Sequence, residues 1–319
     1  MSGILVLGEK DIQNLITPRT VIDAVEEAFG KYALGEAKMP AKMYLDLPEY
    51  GGDFRAMPAF ISGYAGVKWV NAHPKNIEKG MRSVMATIVL NNPATGEPLA
   101  YLDGTVITNY RTGAAAAVAS KYLARRDSKS LGLIGVGEQA KTQLTCISEI
   151  FDLKEVKLCD VNPKAMDEFI AEFSGYKFVK CDLKQAVTAD IVSTTTPVRS
   201  PIVKAEWVKA GTHINAMGAD ASGKEELDPC LLVREDVKVI VDDMEQALHS
   251  GEINVPISEC ILAPEKIYGQ LSDIVAGKLK GRAANEITIF DSTGLAIQDI
   301  STAKVLYEKA LKEGIGLKI

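Results

Sequence analysis

Residues 131–140 read Leu-Gly-Leu-Ile-Gly-Val-Gly-Glu-Gln-Ala, and this stretch decides the fold. An apolar run that ends at Ile134 is followed by Gly135-Val136-Gly137-Glu138-Gln139-Ala140, which is the pattern G-x-G-x-x-A. In this pattern Gly135 permits a sharp turn, Gly137 lets bare backbone approach a pyrophosphate, and Ala140 lets the next helix pack against the strand. The N–H groups at the start of that helix then point at the phosphates. The stretch therefore predicts a strand, a dinucleotide-binding turn and a helix.

The residues after this turn continue the pattern of a nucleotide-binding unit. A helix is predicted over 140–151, and a strand over 156–159 leads directly to Asp160. Asp160 lies 20 residues after Ala140, where a carboxylate binds the ribose hydroxyls of NAD. Because a carboxylate repels the 2′-phosphate of NADP, the sequence favours NAD. The competing interpretation is a turn with an incidental acidic helix cap, but strand, glycines, helix, strand and acid in this order favour the nucleotide site.

Composition excludes several classes of function. The chain has 319 residues, enough for two domains, with 47% hydrophobic and 24% charged residues. Its net charge of -6 gives no electrostatic reason to expect nucleic-acid binding. It has no apolar run long enough to span a bilayer, and its first residues lack the pattern of a signal peptide. We expect a cytoplasmic protein with no membrane partner.

Cysteines, histidines and known motifs give no sign of metal or hydrolytic chemistry. The five cysteines are scattered without a C-x-x-C pair, which is typical of reduced thiols. The three histidines lack the spacing of zinc ligands, so no metal site is predicted. The sequence contains neither a G-x-S-x-G nucleophile elbow nor a Walker A loop.

Strands and helices alternate between about residues 119 and 297, which predicts a Rossmann-type doubly wound parallel sheet of the α/β class. Six strands are predicted, over 131–134, 156–159, 190–194, 212–217, 237–241 and 287–290. Residues 1–118 differ, because an amphipathic helix over 18–34 precedes a run of strands. Those strands are predicted over 41–47, 54–60, 65–71, 83–91 and 98–103. We expect an α+β domain there, to which a last helix over 295–311 returns, so that 1–118 and 298–319 form one discontinuous domain around 119–297.

Two residues stand where a side chain could transfer a proton. Lys68 lies among apolar residues of a predicted strand, so it is either on a solvated face or held in a pocket that lowers its pKa. Asp220 follows the predicted strand 212–217, and ligands bind outside the carboxyl ends of strands in open α/β sheets. The alternative for Asp220 is a loop aspartate that caps the next turn.

Two arginines are candidates for binding a carboxylate. Arg111 stands before a run of small residues that predicts a helix, and an arginine at a helix start would bind an anion in two-pronged fashion. An exposed, ion-paired arginine is the alternative. Arg55 raises the same question with less support from its neighbours.

The whole chain resembles the ornithine cyclodeaminase/μ-crystallin family. The resemblance rests on seven segments in the same order, which are 55–59, 68–74, 111–115, 135–139, 213–220, 251–255 and 290–294. Within the family, the chain is most similar to the archaeal-type alanine dehydrogenases. The resemblance implies NAD-dependent interconversion of alanine with pyruvate and ammonia in a homodimer. It also implies that the discontinuous domain binds the substrate and forms the dimer.

Individual roles follow from the same resemblance. Lys68 matches a catalytic or substrate-binding lysine, Arg111 the carboxylate-binding arginine, and Asp220 an acid/base aspartate. Lys42 matches a basic residue of the substrate pocket. Besides Asp160, the cofactor-contacting positions that the resemblance implies are Glu138, Gln139, Thr195, Met217, Gly218 and Ser292.

One departure from the family pattern bears on the substrate. Arg55 stands where cyclodeaminases have a glutamate that holds the side-chain amine of ornithine. A cation there would repel that amine, which favours a short substrate or one with no distal positive charge. The alternatives are a ketimine or Δ1-pyrroline-2-carboxylate reductase, an ornithine cyclodeaminase, and a binding protein without turnover.

The expected mechanism uses these residues together. Arg111, with Lys68 or Arg55, holds the substrate carboxylate, which sets Cα against the nicotinamide. Lys68 or Asp220 takes a proton from the ammonium of alanine before hydride leaves Cα. The sequence leaves the principal acid/base open between these two and favours Lys68.

Overall fold

The computed structural model describes residues 3–319 and divides the chain into two units. The first unit is the chain up to Arg111 together with Leu295–Ile319, and the second is Thr112–Gly294. None of the helices within residues 3–319 combines the length and the apolarity that crossing a bilayer requires.

The first unit contains a seven-stranded sheet with helices on one face. Its strands are β1 (Leu5–Leu7), β2 (Met43–Leu47), β3 (Gly52–Ile61), β4 (Tyr64–Ala72), β5 (Val84–Asn91), β6 (Pro98–Asp103) and β15 (Leu317–Lys318). They lie in the order β15-β1-β6-β5-β4-β3-β2, and all neighbours are antiparallel except β1 and β6. The predicted strands of this region are present, and β1 and β15 were not predicted.

The helices that pack with this sheet come from the N-terminal and the C-terminal parts of the chain. They are α1 (Glu9–Leu15), α2 (Pro18–Ala33), the 3-10 turns Pro48–Tyr50 and Pro74–Lys79, and α11 (Ala296–Glu313). Pro18 at the first helical position and the Thr17 side chain, which accepts from the N–H of Thr20, begin α2. Helix α11 packs against α2, β3, β4 and β5. The last helix of the chain therefore packs on the N-terminal sheet.

The second unit is built on an eight-stranded sheet in which all neighbours are parallel. Its strands are β7 (Ser130–Ile134), β8 (Glu155–Cys159), β9 (Lys177–Lys180), β10 (Ile191–Thr194), β11 (His213–Ala216), β12 (Val237–Val241), β13 (Ile267–Gln270) and β14 (Ile287–Asp291). The order β9-β8-β7-β10-β11-β14 is the 3-2-1-4-5-6 order of a dinucleotide-binding sheet, with β12 and β13 added beyond it. The α/β class and the doubly wound parallel sheet are thus confirmed.

Helices connect the strands of this sheet. They are α3 (Gly104–Leu123), which spans the division between the units, α4 (Glu138–Ser148), α5 (Pro163–Glu172), α6 (Leu183–Ala186), α7 (Pro229–Leu232), α8 (Met244–His249), α9 (Asn254–Ser258), α10 (Leu271–Val275) and the 3-10 turns Ala205–Trp207 and Pro264–Lys266. Ile191, Ile214, Val239 and Ile289 belong to its buried apolar core.

The sequence prediction was wrong in two respects. The sheet has eight strands rather than six, because β9 and β13 are short and only partly apolar. Helix α3 begins at Gly104 and not near Arg111, since Asp103 accepts hydrogen bonds from the N–H groups of Thr105 and Val106. Arg111 therefore lies inside the helix, and its positive charge does not add to a helix N-terminus.

Candidate active site

Five neighbouring strands of the second unit end in register. The terminal residues pair across the sheet as Cys159, Ile134, Thr194, Ala216 and Asp291. One residue beyond each of them stands one of the residues predicted to bind the cofactor, which are Asp160, Gly135, Thr195, Met217 and Ser292. Parallel pairing thus collects residues that are far apart in sequence along one edge of the sheet, where ligands bind in such folds.

The glycine turn has the backbone that a dinucleotide requires. Gly135 has a φ of +85°, which side chains rarely tolerate, and its N–H donates to the carbonyl of Cys159 at 2.9 Å. Gly137 caps helix α4, and a Cβ placed on it would meet no heavy atom within 4 Å. The space beside Gly137 at the start of α4 is therefore open, which the approach of a pyrophosphate to a helix N-terminus requires.

Asp160 lies beside this turn. Its Oδ2 accepts from the N–H of Val136 at 2.8 Å, and its Oδ1 accepts from the N–H of Asn162 at 2.8 Å. The carboxylate therefore fixes the glycine turn as well as standing at the position that binds a ribose in such folds.

The other predicted cofactor residues differ in how they are held. The Thr195 hydroxyl donates to the carbonyl of Gly135 at 3.0 Å, so it joins two strand ends. Glu138 is mostly exposed and pairs with Lys141 at 2.9 Å, while Gln139 follows it in α4. Ser292 is buried, and the N–H of Gly218 donates to the Oε2 of Glu226 at 2.9 Å.

The variant Gly137→Ala separates cofactor binding from stability. The added methyl group has room in the free protein, but it occupies the space through which backbone approaches a pyrophosphate. We expect the NADH dissociation constant to rise by about tenfold or more, on the order of 1.4 kcal/mol, with an unchanged melting temperature. Titration calorimetry and thermal unfolding measure the two quantities.

Gly8→Ala is the matched control. Gly8 also caps a helix in an extended conformation, and the nearest atom to its Cβ position lies 3.7 Å away. It should change neither quantity. Unaltered NADH affinity in Gly137→Ala would contradict the assignment of this turn.

Lys68 is the most unusual residue of the first unit. It lies on β4, where Lys68 and Val70 face the covered side of the sheet and Trp69 the exposed side. Its side chain is 1% exposed, and its Nζ lies 2.7 Å from Oδ2 of Asp299, in the first turn of α11. The structure therefore places Lys68 in a buried pocket and not on a solvated face, which were the two possibilities that the sequence left open.

Arg111 binds the other side of the same carboxylate. Its Nε donates to Oδ1 of Asp299 at 3.0 Å, and its Nη1 donates to Oε1 of Gln298 at 3.0 Å. Both Asp299 and Gln298 are fully buried, so one carboxylate joins two cations away from water. With both cations charged, the cluster of Lys68, Arg111 and Asp299 has one excess positive charge, which a substrate carboxylate would neutralise.

Burial and neighbouring charges shift the pKa of the Lys68 amine. Desolvation is the main cause that lowers the pKa of Lys68, and the positive charges of Arg111 and Lys42 act in the same direction, while Asp299 opposes them. The pKa of Lys68 falls to about 7. A lysine with this pKa exchanges protons at neutral pH, which an ordinary surface lysine does not.

Arg55 shares the covered face of the sheet with Lys68. The two residues lie on the neighbouring strands β3 and β4, where Arg55 pairs with Val70 and Lys68 with Met57. The guanidinium of Arg55 binds both oxygens of Asp53, at 2.8 and 3.1 Å, and lies over the Tyr44 ring. Because Asp53 neutralises much of this charge, Arg55 repels a substrate amine less than the sequence argument assumed.

Asp220 lies in the loop after β11, in the second unit. Its Oδ1 pairs with Nζ of Lys224 at 2.6 Å, and its side chain is 34% exposed. It is thus more accessible than Lys68 and has a cation beside it. Among residues 3–319, no group of His, Cys, Asp or Glu side chains is arranged to hold a metal ion.

Sequence reasoning missed Asp299 and Gln298. The polar residues of the segment 296–303 lie on one side of the helix, which the sequence pattern alone would place in solvent, but the structure buries Gln298, Asp299, Ser301 and Thr302. The position of Asp299 in the first turn of α11 also favours a carboxylate, through the positive end of the helix.

Similarity to known proteins extends over both units. Residues 4–314 match the model of the ornithine cyclodeaminase/mu-crystallin family. The alanine dehydrogenase of Archaeoglobus fulgidus is 50% identical over 318 residues, which are 99% of this chain and 98% of that protein.

Two solved structures are also similar. An archaeal alanine dehydrogenase dimer with bound NAD shares 50% identity and a TM-score of 0.95, covering 99% of this chain and 98% of that one. The Thermococcus litoralis Δ1-pyrroline-2-carboxylate reductase, in complex with NADH and L-proline, shares 40% identity and a TM-score of 0.96, covering 99% of this chain and 100% of that one.

Proposed function

The chain belongs to the ornithine cyclodeaminase/mu-crystallin family, and from this we propose that it is an NAD-dependent alanine dehydrogenase. It would interconvert L-alanine with pyruvate and ammonia by way of an imino acid. The observation that carries the proposal is the buried cluster of Lys68, Arg111 and Asp299, which combines an anion-binding charge with an amine of pKa about 7. Support for the substrate comes from the 50% identity to the Archaeoglobus enzyme.

Arg111 binds the substrate carboxylate in this proposal. Asp299 and Gln298 engage its Nε and Nη1, so they fix the plane of the guanidinium while Nη2 keeps donors for a ligand. Lys42 adds positive charge to the same site, and Arg55 is a further carboxylate-binding candidate. Holding the carboxylate restricts the orientation of Cα and of the amino group attached to it.

Lys68 moves the proton. In the oxidative direction its neutral amine accepts a proton from the ammonium of alanine, and in the reductive direction the protonated amine returns it. Bound NAD supplies the acceptor for the hydride that leaves Cα. Water then converts the iminopyruvate to pyruvate and ammonia. Asp220 is the second acid/base candidate, and its carboxylate pairs with Lys224.

Reduction of a cyclic imine is the second candidate function. The observation in its favour is the similarity to a Δ1-pyrroline-2-carboxylate reductase in complex with NADH and L-proline. Such a substrate also has one carboxylate next to the reacting carbon, so the same cluster would bind it. An ornithine cyclodeaminase and a binding protein without turnover remain weaker alternatives.

An absorbance screen at the NADH band tests the function. The purified protein is mixed with NADH and either pyruvate plus ammonia, a cyclic imine, or other keto acids plus ammonia, and ornithine is tested for ammonia release. We expect the largest kcat/KM with pyruvate plus ammonia. A larger value with the cyclic imine would replace alanine dehydrogenase by the reductase, and NADH binding without any turnover would favour the binding protein.

We further propose a homodimer that forms through the exposed face of the first sheet. This face presents large apolar side chains from the four strands β2, β4, β5 and β6, which are Met43, Leu45, Trp69, Met85 and Tyr101. Register pairing places them on one side, opposite the side that α11 covers. A contiguous apolar surface of this kind is typical of a protein interface, and a similar solved structure is a dimer.

Trp69→Asp tests the interface. A charge in the centre of an apolar contact costs several kcal/mol, so we expect the dimer dissociation constant to rise by at least about 100-fold. Light scattering after size exclusion, over a range of concentrations, measures it. Leu34→Asp, at an exposed leucine that follows α2 away from this sheet, is the control. A Trp69→Asp protein that remains as dimeric as this control would exclude the proposed face.

A further inference from the structure

Glu226 is a fully buried carboxylate in the second unit that receives four hydrogen bonds. Its Oε1 accepts from the N–H and the hydroxyl of Thr196, at 2.7 and 2.6 Å. Its Oε2 accepts from the hydroxyl of Thr194 at 2.6 Å and from the N–H of Gly218 at 2.9 Å. Four donors around one side chain offset part of the cost of burying its charge, while burial still raises the pKa of Glu226.

These donors belong to the turns that follow two adjacent strands. Thr194 and Thr196 flank Thr195 after β10, and Gly218 follows Met217 after β11. The contact is close, because a Cβ on Gly218 would lie 2.6 Å from the carboxyl group of Glu226 and would also meet the carbonyl oxygen of Thr196. Glu226 therefore connects two turns that carry proposed cofactor residues, although none of these four hydrogen bonds reaches the glycine turn.

We propose that Glu226 is a positioning residue for cofactor binding, which holds the turns after β10 and β11 in the conformation that receives the nicotinamide nucleotide. This inference rests on the proposed function and adds a residue to it. The same hydrogen bonds require a carboxylate at position 226. Each carboxylate oxygen receives one backbone N–H, whose direction is fixed, so a glutamine would turn its NH₂ group toward an N–H in either orientation.

Glu252 provides the contrast within the same region. It is fully buried as well, and its Oε1 accepts from the N–H groups of Glu226 and Leu227 at 2.7 and 2.5 Å. Its Oε2 has no hydrogen-bond partner among residues 3–319. Burial and the charges of Glu226 and Asp291 raise the pKa of Glu252 well above its ordinary value, and burial raises the pKa of Glu226 as well. A glutamine fits this position, because only one oxygen is required as an acceptor.

The test compares Glu226→Gln with Glu252→Gln. For Glu226→Gln we expect the NADH dissociation constant, measured by fluorescence titration, to rise at least about tenfold, since a hydrogen bond to a charged group is lost and a donor is left unpaired. The KM for NADH should rise with it, while kcat at saturating NADH changes less than about threefold. Glu252→Gln should shift both the dissociation constant and kcat less than about threefold.

Each outcome decides the inference. Unchanged NADH affinity in a folded Glu226→Gln protein would overturn it, and so would equal losses in both variants. If Glu226→Gln does not fold, Thr194→Val keeps the carboxylate and removes one donor; it should weaken NADH binding about threefold or more, and unchanged binding would again overturn the inference. Wild-type protein that binds NADH without turnover contradicts the proposed function alone. Wild-type protein that does not bind NADH contradicts both.

Discussion

Lys68→Met should lower kcat by at least about 100-fold in both directions of the reaction, because proton transfer by a positioned base contributes on that scale. Methionine keeps the length and the apolar stem of the lysine, so a side chain that is 1% exposed is replaced without a cavity. The variant removes the amine whose pKa is about 7 and whose Nζ lies 2.7 Å from Asp299. Stopped-flow or steady-state absorbance of NADH measures the loss.

The pH dependence of the wild type completes this prediction. Oxidation of alanine needs the neutral amine of Lys68, so kcat/KM for alanine should rise as the pH increases through about 7. Reduction needs the protonated amine, so its rate should fall over the same range. Lys68→Met should lack this ionisation in both profiles.

Two further variants serve as comparisons for Lys68→Met. Lys157→Met replaces another strand lysine, which interacts with Thr188 and Glu155, and it should leave kcat unchanged. Asp220→Asn should also lower kcat, but less than Lys68→Met does if Lys68 is the principal acid/base. A near-normal kcat in Lys68→Met, or a larger loss in Asp220→Asn, would reassign that role.

Asp299→Asn should lower kcat/KM by at least about 100-fold, since removal of one partner from a buried ion pair costs several kcal/mol. An asparagine has the same shape but no charge, so Lys68 and Arg111 would face each other without their shared carboxylate. Loss of the negative charge favours the neutral amine, which lowers the pKa of Lys68 below its value of about 7. The rising limb of the oxidation profile should therefore move to lower pH.

This displacement of the pH profile distinguishes an electrostatic role from a general loss of structure. The pH dependence of kcat/KM for alanine is measured for wild type and variant, together with the melting temperature. Asp23→Asn is the control, because Asp23 also pairs with an arginine, at 3.0 Å, but is more than half exposed. A profile whose limb stays in place, despite a lower kcat/KM, would show that Asp299 does not set the pKa of Lys68.

The two predictions concern a cluster that only partly follows from the sequence. Lys68 and Arg111 could be named as candidates from their neighbours and from family resemblance. Their partner could not, because Asp299 lies 188 residues after Arg111 in the chain and no local pattern connects the two. The argument from Arg55 fell short for the same reason. The sequence does not show that the side chain of Asp53 pairs with Arg55, whereas the structure does.

Local pattern determined much of this protein. Glycines at 135 and 137, the apolar strand before them and the acid at 160 specify a strand-turn-helix unit, because backbone conformation and strand or helix periodicity depend on nearby residues. The same reasoning located helix α2 and five strands of the N-terminal sheet, but it missed α1, β1 and β15. It failed at Arg111, where the helix begins earlier, at a cap that Asp103 supplies.

Tertiary structure decided which charges meet and which of them lose water. Register pairing of five parallel strands collects the cofactor turns, and the packing of α11 on β4 buries Lys68 against Asp299. Desolvation and Coulomb attraction depend on distance through space and not along the chain. The sequence by itself therefore determined the nucleotide-binding fold and the candidate residues. By contrast, the lowered pKa of Lys68 and the hydrogen bonds of Glu226 to the turns after β10 and β11 exist only once the chain has folded.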